Sequence, residues 1–134
     1  MTQLKISPED VPGLGTLHFP TKRVLLRVDF NVPLRDRKVA NDKRMRGSLP
    51  TLNYLLEKKA KVIVCSHVGR PKGKEEALSM APVADHLETL ISKKVWFEDD
   101  CVGEDVLAVT KKMRPGDVVV LENVRFHGEE EKGD

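Results

Sequence analysis

The chain has 134 residues, a length that fits one domain of ordinary size with a single hydrophobic core. Hydrophobic residues make up 40% and charged residues 33%, a balance typical of soluble globular proteins. A net charge of only +2 and an aromatic content of 4% argue against a nucleic-acid surface, and no apolar run approaches the ~20 residues of a membrane span. We therefore expect no nucleic-acid and no membrane partner.

The two cysteines, Cys65 and Cys101, form neither a disulfide framework nor a C-x-x-C pair. The N-terminus lacks the long apolar region of a secretory signal. Both observations favour a reducing, cytoplasmic setting. Cys65 lies inside an apolar run and is expected to be a small buried residue.

The first half of the chain predicts one strand and one helix after an irregular lead at residues 1–21. The apolar run Val24–Phe30 predicts the strand. Apolar residues then recur at spacings of four, three and four, which predicts the helix. Either Ser48 caps this helix with Pro50 in its first turn, or the helix begins near Arg44 and tolerates a kink. The apolar stripe consists of Met45, Leu49, Leu52 and Leu56.

The second half alternates in the same way and closes with a polar tail from Gly128 that is expected to be frayed or cut within an element. Strands are predicted at Lys61–Ser66, Val95–Phe97 and Asp117–Leu121. Helices are predicted from about Ser79 and over about Glu104–Met113. The order β, α, β, α, β, α, β predicts an α/β fold: a parallel sheet with right-handed crossovers and helices on both faces. Ligands of such sheets bind beyond the carboxyl ends of the strands.

Polar side chains follow three of these strands where they end. Asp29 and Asn31, on alternate positions of an extended segment, are expected to point to the same side. Arg44 lies at the start of the first helix, where backbone amides favour anions. Arginine suits bidentate contact with phosphate or carboxylate, so the pattern favours a site for a small anion. The remaining polar residues at the strand ends are His67, Arg70, Glu122, Asn123, Arg125 and His127.

Plainer interpretations stay open for each of these residues. A lone arginine or histidine is commonly a surface residue, and Asp29 could cap a turn. Asp99, Asp100 and Cys101 follow the third strand, but adjacent side chains on an extended chain diverge, so we expect a solvated turn and no metal site. G-R-P-K-G is not a phosphate-binding loop, and the chain shows no nucleotide-binding cassette.

Five motifs give a specific resemblance. The sequence resembles the phosphoglycerate kinase family in R-V-D-F-N-V-P-L, R-M-R-G-S-L-P-T-L, S-H-V-G-R-P-K-G, D-D-C-V-G and L-E-N-V-R-F-H-G-E-E-E, in family order and at family spacing. The resemblance implies a bilobal, monomeric glycolytic enzyme with Rossmann-like, three-layer lobes. That enzyme transfers a phosphoryl group between 1,3-bisphosphoglycerate and Mg-ADP, giving 3-phosphoglycerate and Mg-ATP.

The resemblance also implies roles for individual residues. Asp29 and Asn31 would hold the glycerate end of the substrate. Arg44 matches the arginine that contacts substrate and steadies the transferring phosphoryl group. The cluster that binds the 3-phosphate would consist of His67, Arg70 and Arg125.

The chain is much shorter than this family. By resemblance, residues 1–134 form an incomplete N-terminal, phosphoglycerate-binding domain, and the nucleotide-binding domain that holds Mg-ATP or Mg-ADP is absent. We therefore expect the isolated chain to be inactive as a kinase. Two alternatives stay open: a stand-alone module that binds phosphoglycerate or another anion, and a non-catalytic interaction protein that uses an exposed sheet edge.

Overall fold

The structure is a computed structural model that describes residues 22–129. The irregular lead at residues 1–21 and the tail residues 130–134 lie outside the described part. None of the helices in that part is long and apolar enough to cross a bilayer. The elements, in chain order, are β1 (Arg23–Arg27), β2 (Leu34–Arg35), β3 (Lys38–Val39), α1 (Lys43–Glu57), β4 (Lys61–Cys65), α2 (Ala81–Ile91), β5 (Val95–Glu98), α3 (Glu104–Lys111) and β6 (Val118–Leu121), with 3-10 turns at Glu76–Leu78 and Val124–Phe126.

Four strands form one parallel sheet in the order β1-β4-β6-β5. Because β1, β4 and β6 are neighbours, the loops that follow them emerge side by side at one edge. The predicted α/β architecture is confirmed, and so is the alternation of strands and helices. The sheet therefore places the polar strand ends next to one another.

Both faces of the sheet carry helices, and the strands alternate between them. Val62 and Val118 face one side, where they pack in the same core cluster as residues of α1 and α2. Ile63 and Val119 face the other side, which α3 covers with Val106. All four residues of β6 are buried, as expected for a central strand with helices on both faces.

Strand β1 is shorter than the sequence predicts. It ends at Arg27, and only the amide of Val28 continues the ladder, donating to the Cys65 carbonyl at 3.0 Å. Asp29 and Asn31 therefore lie in a loop and not on a strand. The expectation that the extended strand aligns them is wrong, because the chain leaves the sheet before it reaches them.

The charged loop after β1 contains a hairpin that the sequence analysis missed. Strands β2 and β3 pair antiparallel across Asp36 and Arg37, whose φ angles are 51° and 59°. Two left-handed residues suit a two-residue hairpin turn, but such turns are usually recognised by Asn-Gly or Asp-Gly. An Asp-Arg pair gives no such signal.

Helix α1 begins at Lys43 and contains Pro50, so the second of the two predicted starts is confirmed. Met45 and Leu52 of the predicted stripe are buried, together with Leu55. Proline inside a helix removes one backbone hydrogen bond, here the one that would reach the carbonyl of Arg46. The gain from this buried stripe is sufficient to keep the helix continuous.

Candidate functional site

The loop after β1 and the start of α1 are in direct contact. The Nη1 atom of Arg44 donates to the Asn31 carbonyl at 2.9 Å and lies 3.4 Å from Oδ1 of Asp29. The same Oδ1 accepts the amide N–H of Asn31 at 3.2 Å, which closes a turn. Asp29 thus caps a turn, as the plainer interpretation held, and it also positions Arg44. The Arg44 side chain remains 56% exposed and accessible to a ligand.

The loop after β4 is fastened to the loop after β1. Oδ1 of Asn31 accepts the amide N–H of Gly69 at 2.9 Å, and Oγ of Ser66 accepts that of Phe30 at 2.9 Å. Gly69 has a φ of +63°, and a Cβ there would lie 2.9 Å from Cδ2 of Leu78. A side chain at this position would strain the backbone and would require the Leu78 side chain to shift. The loop carries His67, which is half-buried, and Arg70, which is exposed.

The loop after β6 is fastened to the loop after β4. Asn123 is fully buried, and its Nδ2 donates to the carbonyls of Val68 and Leu78, each at 2.9 Å. Its Oδ1 accepts the amide N–H of Arg125 at 3.0 Å, which begins the 3-10 turn. One amide side chain therefore fixes the turn that carries Arg125.

Glu122 is a buried carboxylate that supports the same region. Its Oε1 accepts the amides of Met80 and Asn123 at 2.7 and 2.8 Å, and its Oε2 accepts the Ser79 hydroxyl at 2.7 Å. The side chain thus caps the start of α2, where a carboxylate is favoured. Sequence reasoning placed Glu122 and Asn123 at the strand end but gave them no role. The signal was present, since two polar residues directly after a buried strand need partners.

A hollow of about 370 Å³ opens beside Arg44. Its polar lining includes Asn31, Asn41 and Arg44, together with Lys43, which the sequence analysis did not single out. Two cations beside amide groups give an environment suited to a carboxylate or phosphate. The hollow does not include Asp29, His67, Arg70 or Arg125 in its lining.

The six candidate residues thus form one connected set in two parts. The first part, in direct contact, consists of Asp29, Asn31 and Arg44. The second part, on loops that hydrogen bonds fix to the first, consists of His67, Arg70 and Arg125. Guanidinium and imidazole groups on adjacent loops are suited to binding an anion.

The loop after β5 carries a separate polar cluster. Nε2 of His127 donates to Oδ1 of Asp100 at 2.8 Å, and this hydrogen bond lowers the pKa of Asp100 below its usual value. The amide N–H of Cys101 donates to the same oxygen at 2.7 Å. Burial, and then the charge of Asp100, raise the pKa of Cys101 to about 11. The thiol is therefore protonated at neutral pH.

An open parallel sheet with helices on both faces and polar residues at adjacent strand ends defines a protein of the α/β class. Comparison with known proteins narrows this class. The family model for phosphoglycerate kinase matches residues 14–134. The chain therefore belongs to the phosphoglycerate kinase family, which confirms the resemblance seen in the five motifs.

Individual relatives agree with this assignment. The chain is 52% identical over 122 residues to the phosphoglycerate kinase of Moorella thermoacetica, covering 90% of this chain and 31% of that protein. It is 47% identical over 133 residues to that of Dictyoglomus turgidum, covering 99% of this chain and 32% of that protein. Similarity to the solved phosphoglycerate kinase of Pyrococcus horikoshii OT3 has a TM-score of 0.81 at 37% identity, over 87% of this chain and 29% of that one.

The solved enzyme of Coxiella burnetii gives the same picture, with a TM-score of 0.72 at 35% identity over 85% of this chain and 28% of the other. The chain thus spans about a third of the length of the curated relatives it matches. Its α/β fold is that of part of a phosphoglycerate kinase lobe.

Proposed function

We propose that this chain is the phosphoglycerate-binding part of a phosphoglycerate kinase and that residues 1–134 belong to its N-terminal domain. The observation that supports this most directly is the position of Arg44. Its guanidinium lies against Asp29 and the Asn31 carbonyl, above the ends of adjacent parallel strands, and remains half exposed. Family membership supplies the substrates, 3-phosphoglycerate and 1,3-bisphosphoglycerate, as the ligands of this site.

In this proposal the six residues contact different parts of the substrate. Asp29 accepts hydrogen bonds from glycerate hydroxyl groups, and Asn31 lines the hollow where the glycerate lies. His67, Arg70 and Arg125 surround the 3-phosphate, whose charge matches their guanidinium and imidazole groups. Arg44 faces the carboxyl end, where the phosphoryl group is transferred.

None of these residues needs to form a covalent bond with the substrate during the reaction. The acyl phosphate is already activated, so catalysis consists of positioning and of stabilising the charge that spreads over the transferring phosphoryl oxygens. An arginine aimed at that charge contributes a factor of about 10³–10⁵ in rate in related phosphoryl transfers. Arg44 is the catalytic residue in this proposal because it touches the reacting end.

The nucleotide belongs to the remainder of the enzyme. Mg-ADP or Mg-ATP, bound by a second domain, supplies the phosphoryl acceptor or donor, and the whole enzyme acts as a cytoplasmic monomer. The isolated chain accordingly binds phosphoglycerate and does not consume ATP. Robust ATP consumption that depends on 3-phosphoglycerate, measured with the purified chain in a coupled assay, would contradict this part of the proposal.

Calorimetric titration of the 134-residue chain with 3-phosphoglycerate tests the binding role. We expect saturable binding that weakens roughly tenfold or more in Arg44→Ala, because a hydrogen bond to a charged group contributes about 1.5–3 kcal/mol. Arg70→Ala should weaken binding of 3-phosphoglycerate more than binding of glycerate, which lacks the phosphate.

Arg46→Ala is the matched control. Arg46 lies on the same helix two residues further on, and its guanidinium pairs with Asp42. Its removal changes the net charge equally but should leave the affinity within twofold of the wild type. Equal losses in the Arg44 and Arg46 variants would mean that only general charge attracts the ligand, and the assigned site would be wrong.

A further inference from the structure

A second cluster of potential ligand atoms lies at the end of β5, outside the six residues assigned to phosphoglycerate. A carboxylate oxygen of Asp100, Sγ of Cys101 and a ring nitrogen of His127 all lie within 4.8 Å of one another. Oxygen, sulfur and nitrogen from these three residue types are the donors that Zn²⁺ takes in proteins. The sequence analysis treated the Asp-Cys stretch as a solvated turn, since neighbouring side chains on an extended chain diverge.

The expected turn is present, and the structure differs from the expectation because His127 approaches it from the segment after β6. Oδ1 of Asp100 accepts the amides of Cys101 and Val102 at 2.7 and 3.4 Å, which bends the chain. Strands β5 and β6 pair in parallel, so the segment after β6 emerges beside this turn. His127 then reaches Asp100 at 2.8 Å. Residues 27 positions apart in sequence are thereby brought together.

The separations are close to those that a tetrahedral ion needs. With ligand bonds of about 2.0–2.3 Å, two ligands of one zinc ion lie about 3.3–3.7 Å apart. The histidine and the carboxylate, now 2.8 Å apart, need to separate slightly, and the most distant pair needs to close by about 1 Å.

The surroundings allow an ion to enter and then favour its retention. The side chains of Asp100 and His127 are 50% and 39% exposed. Cys101 is half-buried against apolar residues and lines a groove of about 440 Å³ with Leu121 and Val124. An ion bound there contacts solvent on one side and a low-dielectric wall on the other, where its attraction for thiolate and carboxylate is stronger.

We propose that Asp100, Cys101 and His127 form a binding site for a borderline divalent cation such as Zn²⁺, with a fourth position left to water. On binding, the Cys101 thiol loses its proton to solvent and the thiolate bonds to the metal. His127 takes the tautomer with its proton on Nδ1, so that its Nε2 and the Asp100 carboxylate exchange their hydrogen bond for two metal–ligand bonds. The ion would connect the end of β5 to the turn that carries Arg125. The site is independent of the proposed phosphoglycerate contacts.

Titration of the 134-residue chain with Co²⁺ provides the test, because a cobalt–thiolate bond gives a charge-transfer absorption that oxygen and nitrogen ligands do not. We expect this band to saturate at one Co²⁺ per chain and to be removed by Zn²⁺. Cys101→Ser should abolish it, and His127→Asn should weaken Co²⁺ binding tenfold or more. Asp99→Asn, which removes the neighbouring exposed carboxylate, should leave the absorption band and the Co²⁺ affinity unchanged.

Protection of the thiol gives a second readout that needs no variant. Zn²⁺ should slow alkylation of Cys101 by iodoacetamide at least fivefold, as mapped by mass spectrometry, while the alkylation of buried Cys65 does not change. Absence of the thiolate band at excess Co²⁺ in a chain with native circular dichroism would overturn the proposal. A band that persists in Cys101→Ser but disappears in Cys65→Ser would overturn it as well.

Discussion

Asp42 shows how a single partly buried carboxylate can join two helices. Its Oδ2 accepts from Nε2 of His86 on α2 at 2.9 Å, and its Oδ1 accepts from Nε of Arg46 on α1 at 3.0 Å. The hydrogen bond from His86, followed by that from Arg46, lowers the pKa of Asp42 below 3.8. A carboxyl group whose pKa is lowered by folding stabilises the native state only while it is ionised.

The melting temperature of Asp42→Asn should therefore lie below that of the wild type at neutral pH, and the gap should narrow as the pH falls below 3.8. The gap in melting temperature narrows because protonation of Asp42 removes from the wild type the interaction that the variant already lacks. Differential scanning fluorimetry from pH 7 to pH 3 measures this gap. Asp85→Asn, on α2 next to His86, is the control and should melt like the wild type. A gap that stays constant with pH would refute the argument.

At the scale of elements, buried polar side chains connect the loops of the site to one another. Asn123 connects the loops after β4 and β6 and reaches the 3-10 turn at Glu76–Leu78 through the carbonyl of Leu78. An unsatisfied buried acceptor is costly because no water replaces the lost donor. The site geometry should accordingly depend on this residue.

Asn123→Ala leaves the carbonyls of Val68 and Leu78 and the amide of Arg125 without this partner. We expect a loss of about 2–4 kcal/mol in the free energy of unfolding, measured by urea denaturation. Asn53→Ala, on the exposed side of α1, should change it by less than about 0.5 kcal/mol. Comparable losses in the two variants would show that the buried network contributes little.

The sequence predicted the strands and helices well because their apolar spacing directly reports which face is buried. Helix α1 and strand β4 follow the predicted pattern to within a few residues. The site was predictable only in part, since alternation cannot foresee that β1 ends at Arg27 and that a turn, not a strand, brings Asp29 and Asn31 together. The contact between Arg44 and Asn31 depends on how α1 packs over the sheet, which no local pattern in the sequence records.

Across the whole molecule, the two faces of the sheet are covered unequally. Among the helices of residues 22–129, α1 and α2 cover one face and only α3 packs on the other. On that second face, Leu25 of β1 and Trp96 of β5 flank the covered centre and are 67% and 52% exposed. Exposed apolar area of this kind promotes association.

The chain should therefore bind an apolar dye such as anilinonaphthalene sulfonate in its native state and self-associate at high concentration. Leu25→Lys should reduce dye binding, as measured by fluorescence, and self-association, as measured by sedimentation velocity. Leu107→Lys, a similar change on the 50% exposed Leu107 of α3, serves as the comparison. Equal effects of the two variants would show that general hydrophobicity, and not this face, is responsible.

The position of β6 in the sheet imposes an order on assembly. Among the described strands, β5 pairs with β6, and β4 pairs with β1 and β6, so the strand made last lies in the middle. On a ribosome, β1 and β4 can pair early and α2 can pack against α1 and β3, whereas β5 and α3 wait for residues 118–121 before they have a strand to join. The apolar surfaces of the waiting elements thus stay exposed in the nascent chain until residues 118–121 have been synthesised. Chaperone demand during translation should be concentrated in that interval.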